Sequence, residues 1–411
     1  MKLYNHQFLT ISSLDEKTMT KTDVIILGAG AAGLMCAIEA GKRSRNVIVL
    51  DHMDKPGRKV LMSGGGRCNF TNNSVDSSNY ISQNPHFCKS ALSRYSQWDF
   101  IDMVQRYDIP IQERSHGQLF CEKSSKGILD MLLAECHKAK VSFSFNTEIQ
   151  RISKVSDTEF HITCSTGEFS CKSLVVATGG LSLPTTGASP FGHKVAELFD
   201  IPVLPTSAGL VPFTLSPKDK ERFAALSGIA VPAIISNERQ SFSENLLFTH
   251  RGLSGPAVLQ MSSYWQPGEE VEINLLPGIS LIDEFKKEQK EHPKQKIKTI
   301  LSKHLPKRVV SAFLSEEQAE KELNATSHKQ FEEIAGQIQE WHVKPNGTEG
   351  YRTAEVTLGG VDCNEISSKT MESKKVSGLF FIGEVLDVTG WLGGYNLQWA
   401  WSSGWCAGQF V

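Results

Sequence analysis

The feature that most constrains this chain is a glycine pattern close to its start. The apolar run 24–27 (VIIL) leads directly into Gly28, Gly30 and Gly33. A strand, a G-x-G-x-x-G turn and a helix in this order are typical of a dinucleotide-binding fold. Gly28 permits the tight turn, Gly30 lets the backbone approach a pyrophosphate, and Gly33 lets the helix pack on the strand. The phosphates then face the positive end of the helix dipole.

Four short apolar runs, at 24–27, 47–50, 174–177 and 379–382, predict the strands of a parallel sheet. None of them alternates with polar residues, as expected for strands that are buried on both faces. Asp51 follows the second run, where a carboxylate can bind a ribose hydroxyl. Because three runs lie before residue 180 and one lies after 375, both ends of the chain build this sheet, and the middle is inserted.

The inserted middle of the chain contains two regions with different sequence patterns. Residues 210–276 contain short alternating segments broken by Pro and Gly, which predict a small antiparallel sheet or barrel. Residues 281–341 are rich in Lys, Glu and Gln, with Leu and Ile at helical spacing, which predicts several helices. The predicted divisions are an N-terminal tail (1–20), a nucleotide-binding domain (21–200 and 352–411), an inserted β-barrel (201–279 and 336–351) and a helical domain (280–335).

Composition excludes several classes of protein. Hydrophobic residues make up 40% and charged residues 21% of the chain, which is ordinary for a globular enzyme. The net charge of -2 gives no global attraction to nucleic acid or to an anionic membrane. No apolar run approaches the roughly 18 residues that span a bilayer, and the first twenty residues lack the apolar core of a signal peptide. We expect a cytoplasmic protein without a membrane partner, which starts at Met1 or at Met19.

The nine cysteines predict neither disulfides nor a metal centre. Their number is odd and no two are spaced C-x-x-C, which argues against a disulfide framework, a zinc ribbon and a dithiol redox centre. The chain also lacks H-E-x-x-H and every other metal-ligand cluster. We therefore expect no bound metal. Cys68 alone lies in a neighbourhood that suggests chemistry.

A second glycine cluster favours FAD over NAD as the resident dinucleotide. An NAD-dependent dehydrogenase needs a catalytic domain after its first nucleotide-binding unit, whereas here residues 58–69 (RKVLMSGGGRCN) follow at once. The backbone amides of three consecutive glycines can lie against a flat ligand or a phosphate. Arg58 and Lys59 can neutralise pyrophosphate charge. The alternative interpretation is a flexible surface loop.

The last part of the chain completes the predicted site. Gly383 and Glu384 end a buried strand, and residues 389–398 (TGWLGGYNLQ) lead into a predicted helix with Asn396 as its N-cap. A helix N-terminus directed at the pyrimidine edge of a flavin would stabilise the anion of the reduced ring.

Long motifs in this sequence resemble the bacterial HI0933-like (also called BaiN-like) flavoproteins. They are GAGAAG at 28–33, GRKVLMSGGGRCNFTN at 57–72, ATGG at 177–180, FTHRGLSGP at 248–256 and GEVLDVTGWLGGYN at 383–396. The resemblance covers almost the whole chain after residue 21. It implies an α/β fold: a Rossmann-like FAD-binding domain of the two-dinucleotide-binding type, with an inserted antiparallel β-barrel and a small helical domain. Asp51 stands where many such flavoproteins have Glu, and either carboxylate can bind a ribose.

The predicted contacts of a non-covalent FAD are spread over the whole nucleotide-binding domain. They are Gly28, Ala29, Gly30, Ala32, Gly33, Asp51, Arg58, Lys59, Ser63, Gly64, Gly65, Cys68, Asn69, Ile149, Ala177, Thr178, Gly179, Gly180, Gly383, Glu384, Asn396, Leu397 and Gln398.

The resemblance also implies a reaction. It favours reduction of the flavin by NAD(P)H, followed by hydride delivery to a carbon–carbon double bond in an unsaturated ring, such as a dehydro bile acid or a uridine of ribosomal RNA. The sequence contains no second strand–G-x-G-x-x-G–helix unit, so NAD(P)H would visit the flavin transiently. The alternative is a flavin-binding module for redox sensing or interaction, without a dedicated substrate.

Reduction of such a double bond needs a proton donor beside the hydride. The candidates are Cys68, Tyr395, His250 and Arg251. Three of them also have a plain structural interpretation: Cys68 as a buried thiol, His250 as a hydrogen-bonding group and Arg251 as a member of a surface ion pair.

One segment of the chain is strongly basic. Residues 286–308 contain nine Lys and Arg, which outnumber Glu288 and Glu291. A solvated helical face and a surface that contacts ribosomal RNA are both compatible with this pattern. No aromatic residues interleave the lysines, so RNA would be held through its phosphates.

Overall fold

The computed structural model describes residues 19–411. The chain divides into two compact units: the first extends through Ser207 and includes Val356–Val411, and the second is Ala208–Glu355. Residues 1–18 of the predicted tail lie outside the described residues, and Thr20 already belongs to a strand.

Residues 19–209 contain the following strands and helices. The strands are β1 (Thr20–Lys21), β2 (Val24–Leu27), β3 (Val47–Leu50), β4 (Asn69–Asn72), β5 (Tyr80–Ile81), β6 (Ile111–Glu113), β7 (Gln118–Cys121), β8 (Ser142–Ser144), β9 (Ile149–Ser156), β10 (Glu159–Cys164), β11 (Gly167–Cys171), β12 (Ser173–Val176) and β13 (Val203–Gly209). The helices are α1 (Ala31–Lys42), α2 (Arg58–Gly66), α3 (Phe87–Arg94), α4 (Gln97–Gln105), α5 (Lys126–Lys138) and α6 (Phe191–Leu198).

The second unit and the last part of the chain follow. The strands of the second unit are β14 (Phe213–Thr214), β15 (Ala230–Ser236), β16 (Ser241–Phe248), β17 (Gly252–Ser254), β18 (Val271–Asn274), β19 (Trp341–Val343) and β20 (Gly347–Thr348). Its helices are α7 (Pro217–Phe223), α8 (Pro256–Ser262), α9 (Leu281–Glu291), α10 (Ile297–Leu301), α11 (Lys307–Phe313), α12 (Glu316–Glu320) and α13 (His328–Gln339). The chain then returns to the first unit with β21 (Val356–Val361), β22 (Leu379–Phe381), β23 (Thr389–Gly390) and α14 (Tyr395–Gly408).

The first unit is built around a five-stranded parallel sheet in the order β22-β12-β2-β3-β8. The four apolar runs that predicted strands are its first four members, and their residues are buried. The fifth strand, β8, has the sequence SFS and carries no apolar run, so the sequence pattern did not reveal it. Since β22 follows the second unit in the chain, the prediction that both chain ends build this sheet is confirmed.

A second sheet of the first unit, in the order β1-β11-β10-β9, has four strands. Its burial pattern differs from that of the parallel sheet, because residues of β10 alternate between buried and partly exposed positions. One face of this sheet is therefore packed and the other is partly open to solvent, as is usual for antiparallel pairs.

The second unit contains a seven-stranded sheet in the order β19-β18-β15-β16-β17-β14-β20. Its neighbouring strands are antiparallel, as predicted. The strand order ends at β19 and β20, in agreement with the antiparallel sheet that was one of the two predictions for this region. The helices α9–α13, which cover most of the predicted helical domain at 280–335, belong to the same compact unit as this sheet.

Helix α14 lies in the core of the first unit and packs closely on α1. A Cβ added at Gly404 would come within 2.5 Å of the carbonyl oxygen of Ala32, and one at Gly408 within 2.5 Å of the Glu39 Cβ. The absence of side chains at these two glycines allows the helices to approach. The last helix of the chain is thereby fixed to the helix that follows the glycine turn. None of the described helices is long and apolar enough to cross a membrane.

This contact predicts the effect of one methyl group. We expect Gly404→Ala to lower the free energy of unfolding of the first unit by about 1–3 kcal/mol, because the added Cβ overlaps backbone. The matched control is Gly127→Ala in α5, where a Cβ meets only Ile109 at 3.4 Å; it should be neutral or stabilising by up to about 1 kcal/mol. Thermal and denaturant unfolding of both variants measure the difference, and equal stabilities would contradict the close packing.

Candidate functional site

The glycine turn between β2 and α1 has the geometry that its sequence predicts. Gly28 has a φ of 110°, and a Cβ there would lie 2.5 Å from the carbonyl oxygen of Ala177. A Cβ at Gly33 would lie 2.0 Å from the carbonyl oxygen of Gly28, so helix and strand touch at these glycines. At Gly30 no atom lies within 4 Å of an added Cβ. Gly28 and Gly33 are thus required by protein packing, whereas Gly30 borders open space.

Asp51 stabilises this turn directly. Its Oδ2 accepts a hydrogen bond from the N–H of Ala29 at 2.7 Å, and its Oδ1 accepts one from the N–H of Met53 at 2.8 Å. Each carboxylate oxygen has a second lone pair, so these bonds leave acceptor sites for a ribose hydroxyl. Asp51 therefore holds the backbone of the turn and can still serve the predicted role.

The second glycine cluster forms a left-handed turn at the end of α2. Gly64, Gly65 and Gly66 have φ values of 58°, 64° and 83°, after Ser63 in an extended conformation. Side chains are strained in this region of φ, which explains the three glycines. An added Cβ at Gly65 or Gly66 meets no protein atom within 4 Å. The turn is therefore a surface of bare backbone, as a flat ligand or a phosphate requires.

The two basic residues at the start of α2 are already paired. Arg58 donates to Asp54 Oδ1 at 2.7 Å, and Lys59 Nζ lies 2.6 Å from Glu384 Oε2. Carboxylates of the chain therefore already balance the charges of both side chains, and the prediction that they neutralise a pyrophosphate stays a prediction. Arg58 is in a surface pair, while Lys59 is part of a larger network.

That network is centred on the Glu384 carboxylate. Its Oε2 accepts from Lys59, and its Oε1 accepts from Ser182 Oγ at 3.0 Å and from the N–H of Thr357 at 2.9 Å. Lys59 also donates to Ser182 Oγ at 2.7 Å. Four segments are joined in this way: α2, the loop after β12, β21 and the turn after β22. Gly383, at the start of that turn, has a φ of 72°.

The residues after β12 face two different surroundings. Gly179 has a φ of 72° and no atom near an added Cβ, so it borders open space like Gly30. Gly180 is packed, since a Cβ there would lie 2.5 Å from Thr357 Oγ1. The Thr178 hydroxyl is buried without a hydrogen-bond partner among residues 19–411 and lies 2.1 Å from the position of a Cβ on Gly192. Thr178 therefore packs against α6 through its side chain.

The start of α14 corrects two predictions. The helix begins at Tyr395 after Gly394, so Asn396 is its second residue and not its N-cap. The Asn396 amide instead holds the preceding loop, donating to the carbonyl of Gly390 at 2.7 Å and accepting from its N–H at 2.8 Å. Gln398 has no exposed surface, and its amide bonds to Thr71, Ser402 and the carbonyl of Tyr95, so it cannot contact a cofactor.

The remaining residues of the predicted FAD site differ in how far they are exposed to solvent. Asn69, with its amide oriented so that the oxygen accepts from the N–H of Gly394 at 3.2 Å, links β4 to the start of α14. Leu397 is half-buried on the first turn of α14, and Ile149 is half-buried as the first residue of β9. Ala32 is almost fully buried beneath Gly383, whose added Cβ would lie 2.9 Å from the Ala32 Cβ.

Two of the four candidate proton donors are buried. Cys68 has no exposed surface, and burial raises the pKa of its thiol to about 12. It therefore has no exposed surface for a cofactor or a substrate to contact, which argues against both roles predicted for it. Tyr395 is 7% exposed, burial raises the pKa of its phenol, and its hydroxyl donates to the carbonyl of Ser74 at 3.5 Å. The structure therefore favours a packing role for Tyr395.

The other two candidates lie in the second unit. Arg251 Nη1 is 3.2 Å from Glu349 Oε2, so the surface ion pair considered as its alternative role is present. His250 is exposed and has no ion-pair partner among residues 19–411. Within the same described range, no group of three or more His, Cys, Asp or Glu side chains is arranged to hold a metal ion.

The basic segment is more neutral in the structure than in the sequence. Lys296 and Lys298 both pair with Glu320, and Lys303 pairs with the buried Glu288. Because Glu320 lies outside the segment, the excess of positive charge counted along residues 286–308 is an overestimate. The exposed lysines of this segment without a carboxylate partner among the described residues are Lys287, Lys290, Lys294 and Lys307.

Three residues of the site escaped the sequence analysis. Ser182 and Thr357 belong to the Glu384 network, and His193 lies behind the turn after β22. His193 is 7% exposed, burial lowers its pKa, and its Nε2 has no partner among residues 19–411. Ser182 follows the ATGG motif by two residues and could have been found there, whereas nothing around Thr357 or His193 in the sequence signals a role.

The open glycines test whether a dinucleotide fits. Gly30, Gly65 and Gly179 each lack any protein atom where a side chain would lie, and they follow β2, the end of α2 and β12. In parallel sheets ligands bind at the carboxyl ends of the strands, where the loops of Gly30 and Gly179 begin. Bare backbone at these positions, a helix N-terminus and the free lone pairs of Asp51 are the groups that a phosphate and a ribose need. The residues present fit FAD.

Comparison with known proteins decides the family. The model of the HI0933-like protein Rossmann domain matches residues 22–410. This chain belongs to the HI0933-like family. A ribosomal RNA dihydrouridine synthase of Escherichia coli is 55% identical over 95% of this chain and 98% of its own length. The protein of the same name from Haemophilus influenzae is 52% identical over 92% of this chain and 96% of its own. A 3-dehydro-bile acid delta(4,6)-reductase of Clostridium scindens is 27% identical over 93% and 97%.

For this HI0933-like protein, Gly30 allows a clean test of the cofactor. We expect the purified protein to be yellow, with FAD that acid or heat releases. Gly30→Val should abolish flavin binding but leave the apoprotein folded, because φ at Gly30 is -82° and the space beside it is free of protein atoms. The absorption spectrum and the unfolding curve of the variant are the two measurements. A folded, fully yellow Gly30→Val protein would refute the predicted pyrophosphate position.

A double-mutant cycle tests the Glu384 network. We expect Lys59→Met and Glu384→Gln to show a coupling of about 0.5–2 kcal/mol in the free energy of FAD binding to apoprotein, because the pair fixes segments that carry the site. The matched control is the neighbouring surface pair, Arg58→Met with Asp54→Asn, for which a coupling below about 0.5 kcal/mol is expected. Equal couplings in the two cycles would show that the network does not support the cofactor site.

Proposed function

We propose that this protein is an FAD-dependent oxidoreductase that reduces a uridine of ribosomal RNA to dihydrouridine, with NAD(P)H as electron donor. The observation that carries the proposal is the likeness to two ribosomal RNA dihydrouridine synthases, each more than half identical over nearly the whole chain. The open glycines at Gly30, Gly65 and Gly179 support the cofactor, since they leave room for a dinucleotide along three loops of one unit.

The reaction adds a hydride and a proton across the ring double bond of uridine, while NAD(P)H is oxidised to NAD(P)+. When bound, FAD supplies the two-electron chemistry that links the donor to the ring. The residues of the chain hold the dinucleotide: the turn at Gly28–Gly33 and the N-terminus of α1 face its phosphates, and Asp51 faces a ribose. The nicotinamide donor binds transiently, because the sequence has a single G-x-G-x-x-G unit.

The proton has few possible sources among the candidate residues. Cys68 and Tyr395 are buried, and Arg251 is paired with Glu349. His250 remains exposed. We therefore keep His250 as the candidate proton donor of the four, with water as the competing source.

A ribosomal RNA substrate implies two further properties of this protein. The first is that the reaction takes place in the cytoplasm. The second is a role for four exposed lysines that have no carboxylate partner among residues 19–411, which would contact phosphates in a salt-dependent manner. They are Lys287, Lys290, Lys294 and Lys307. Both remain proposals that depend on the substrate.

The decisive experiment compares ribosomal RNA from cells with and without the gene for this protein. We expect one uridine to be converted to dihydrouridine only when the protein is present, and we expect the purified protein to perform the conversion with NADPH or NADH on unmodified RNA. Nucleoside mass spectrometry measures the product, and bleaching of the flavin under anaerobic conditions measures its reduction. The Gly30→Val variant is the matched negative control.

Two results would reject the proposal. Identical dihydrouridine content in both RNA samples, together with reoxidation of the reduced protein by a steroid enone, would assign it a small-molecule substrate like that of the bile acid reductase. Failure of both nicotinamides to bleach the flavin, with no reoxidation by either substrate, would favour a flavin-binding sensor or interaction module.

A further inference from the structure

The glycine turn at the end of α2 is surrounded by exposed cations. Arg67 follows the turn directly, Arg114 lies just after β6, and Lys123 lies just after β7. All three residues are exposed, and none has a carboxylate within 4 Å among residues 19–411. Some other cations of the same unit are paired, such as Lys126 with Asp130 at 2.6 Å and Lys172 with Asp23 at 2.9 Å.

Backbone hydrogen bonds hold these cations beside the turn. The N–H of Cys121 donates to the carbonyl of Arg67 at 2.8 Å, and the N–H of Ser125 donates to the carbonyl of Gly66 at 2.8 Å. The segment that carries Lys123 is therefore docked on the turn by two backbone hydrogen bonds. Its position does not depend on any flexible side chain.

Arg114 reaches the turn through an aromatic ring. Its guanidinium carbon lies 4.3 Å from the centre of the Phe120 ring, and the Cε1 atom of that ring lies 2.9 Å from the position of a Cβ on Gly64. The ring is buried between the cation and the glycine backbone. A cation over an aromatic face is held in place while its N–H groups stay available to an anion.

The surface also offers an apolar contact. Met62, one residue before Ser63, has 52% of its surface exposed and is among the few large hydrophobic residues that are exposed in this way. A flexible, polarizable side chain of this kind adapts to flat apolar groups. Three cations without a carboxylate partner among residues 19–411 and an exposed methionine therefore lie around the bare backbone of this glycine turn. The predicted FAD site uses the same turn.

We propose that Arg67, Arg114 and Lys123 bind the phosphodiester backbone of the RNA that carries the target uridine, while Met62 contacts a neighbouring base. This inference rests on the proposed function and adds the surface by which the substrate is held. Guanidinium groups bind phosphate oxygens in a bidentate manner, and lysine adds a point charge. A free nicotinamide dinucleotide would also carry phosphates, so the experiment must separate the two ligands.

Glu113 and Glu122 are the neighbouring acids in the chain. Neither forms an ion pair with the three cations, so the positive groups are not neutralised by contact. RNA binding should therefore depend strongly on salt.

The test compares two sets of neutral variants. In the first set Arg67, Arg114 and Lys123 are changed to Gln. The matched control also removes three exposed cations of this unit, but each of these is paired with a carboxylate. Its substitutions are Arg106→Gln, Lys126→Gln and Lys172→Gln. Both proteins lose the same net charge. Binding of unmodified ribosomal RNA is measured at several salt concentrations, together with flavin content, flavin bleaching by NAD(P)H and dihydrouridine formation.

We expect the first set to weaken RNA binding at least tenfold and to lower the slope of log K against log salt by about 2, at about 0.7 for each lost phosphate contact. Its flavin content and flavin bleaching should equal those of the wild type, and its dihydrouridine formation should fall. The control should bind RNA with the wild-type slope.

Three other results overturn the inference. Equal RNA binding by the two sets would show that these cations are not the RNA surface, although the wild type could still form dihydrouridine. Loss of flavin or slower bleaching by the first set would assign the cations to a dinucleotide. No RNA binding and no dihydrouridine from the wild type would reject the proposed function together with this surface.

Discussion

The Glu384 carboxylate organises the first unit, because three donors from different parts of the chain converge on it. A carboxylate removed from water is costly unless it is paired and hydrogen-bonded. Lys59, Ser182 and the backbone N–H of Thr357 together meet that requirement. These bonds tie the turn after β22 to α2, to β21 and to the loop after β12. The same bonds hold the two segments that carry Gly65 and Gly179, the glycines whose backbone borders open space.

The sequence predicted those parts of the molecule in which the partners are close in the chain or the pattern is strong. Gly28 and Gly33 touch each other within one turn, so their spacing alone implied the contact. The continuous apolar runs of β2, β3, β12 and β22 implied burial on both faces. The short strand β8 has no such run. The edge strands of the seven-stranded sheet depend on which strands pair, and hydrophobic periodicity does not encode that pairing.

Site residues were harder to predict, since a polar side chain shows its chemistry but not its partner. Lys59 was expected at a pyrophosphate and is bound to Glu384, which is more than three hundred residues away. Cys68 and Gln398 lie in motifs rich in small polar residues, yet both are fully buried. The basic segment was counted along the chain, and Glu320, which pairs with two of its lysines, lies beyond the counted residues.

The route of the chain through the first unit also governs when that unit can form during synthesis. Strand β22 and helix α14 are translated only after all of Ala208–Glu355, although they complete the sheet and cover α1. Until then, the apolar faces of β12 and α1 have no native cover. The inserted unit has its own sheet and can fold first as the ribosome continues. Capture of the dinucleotide must therefore be one of the last events in the maturation of the protein.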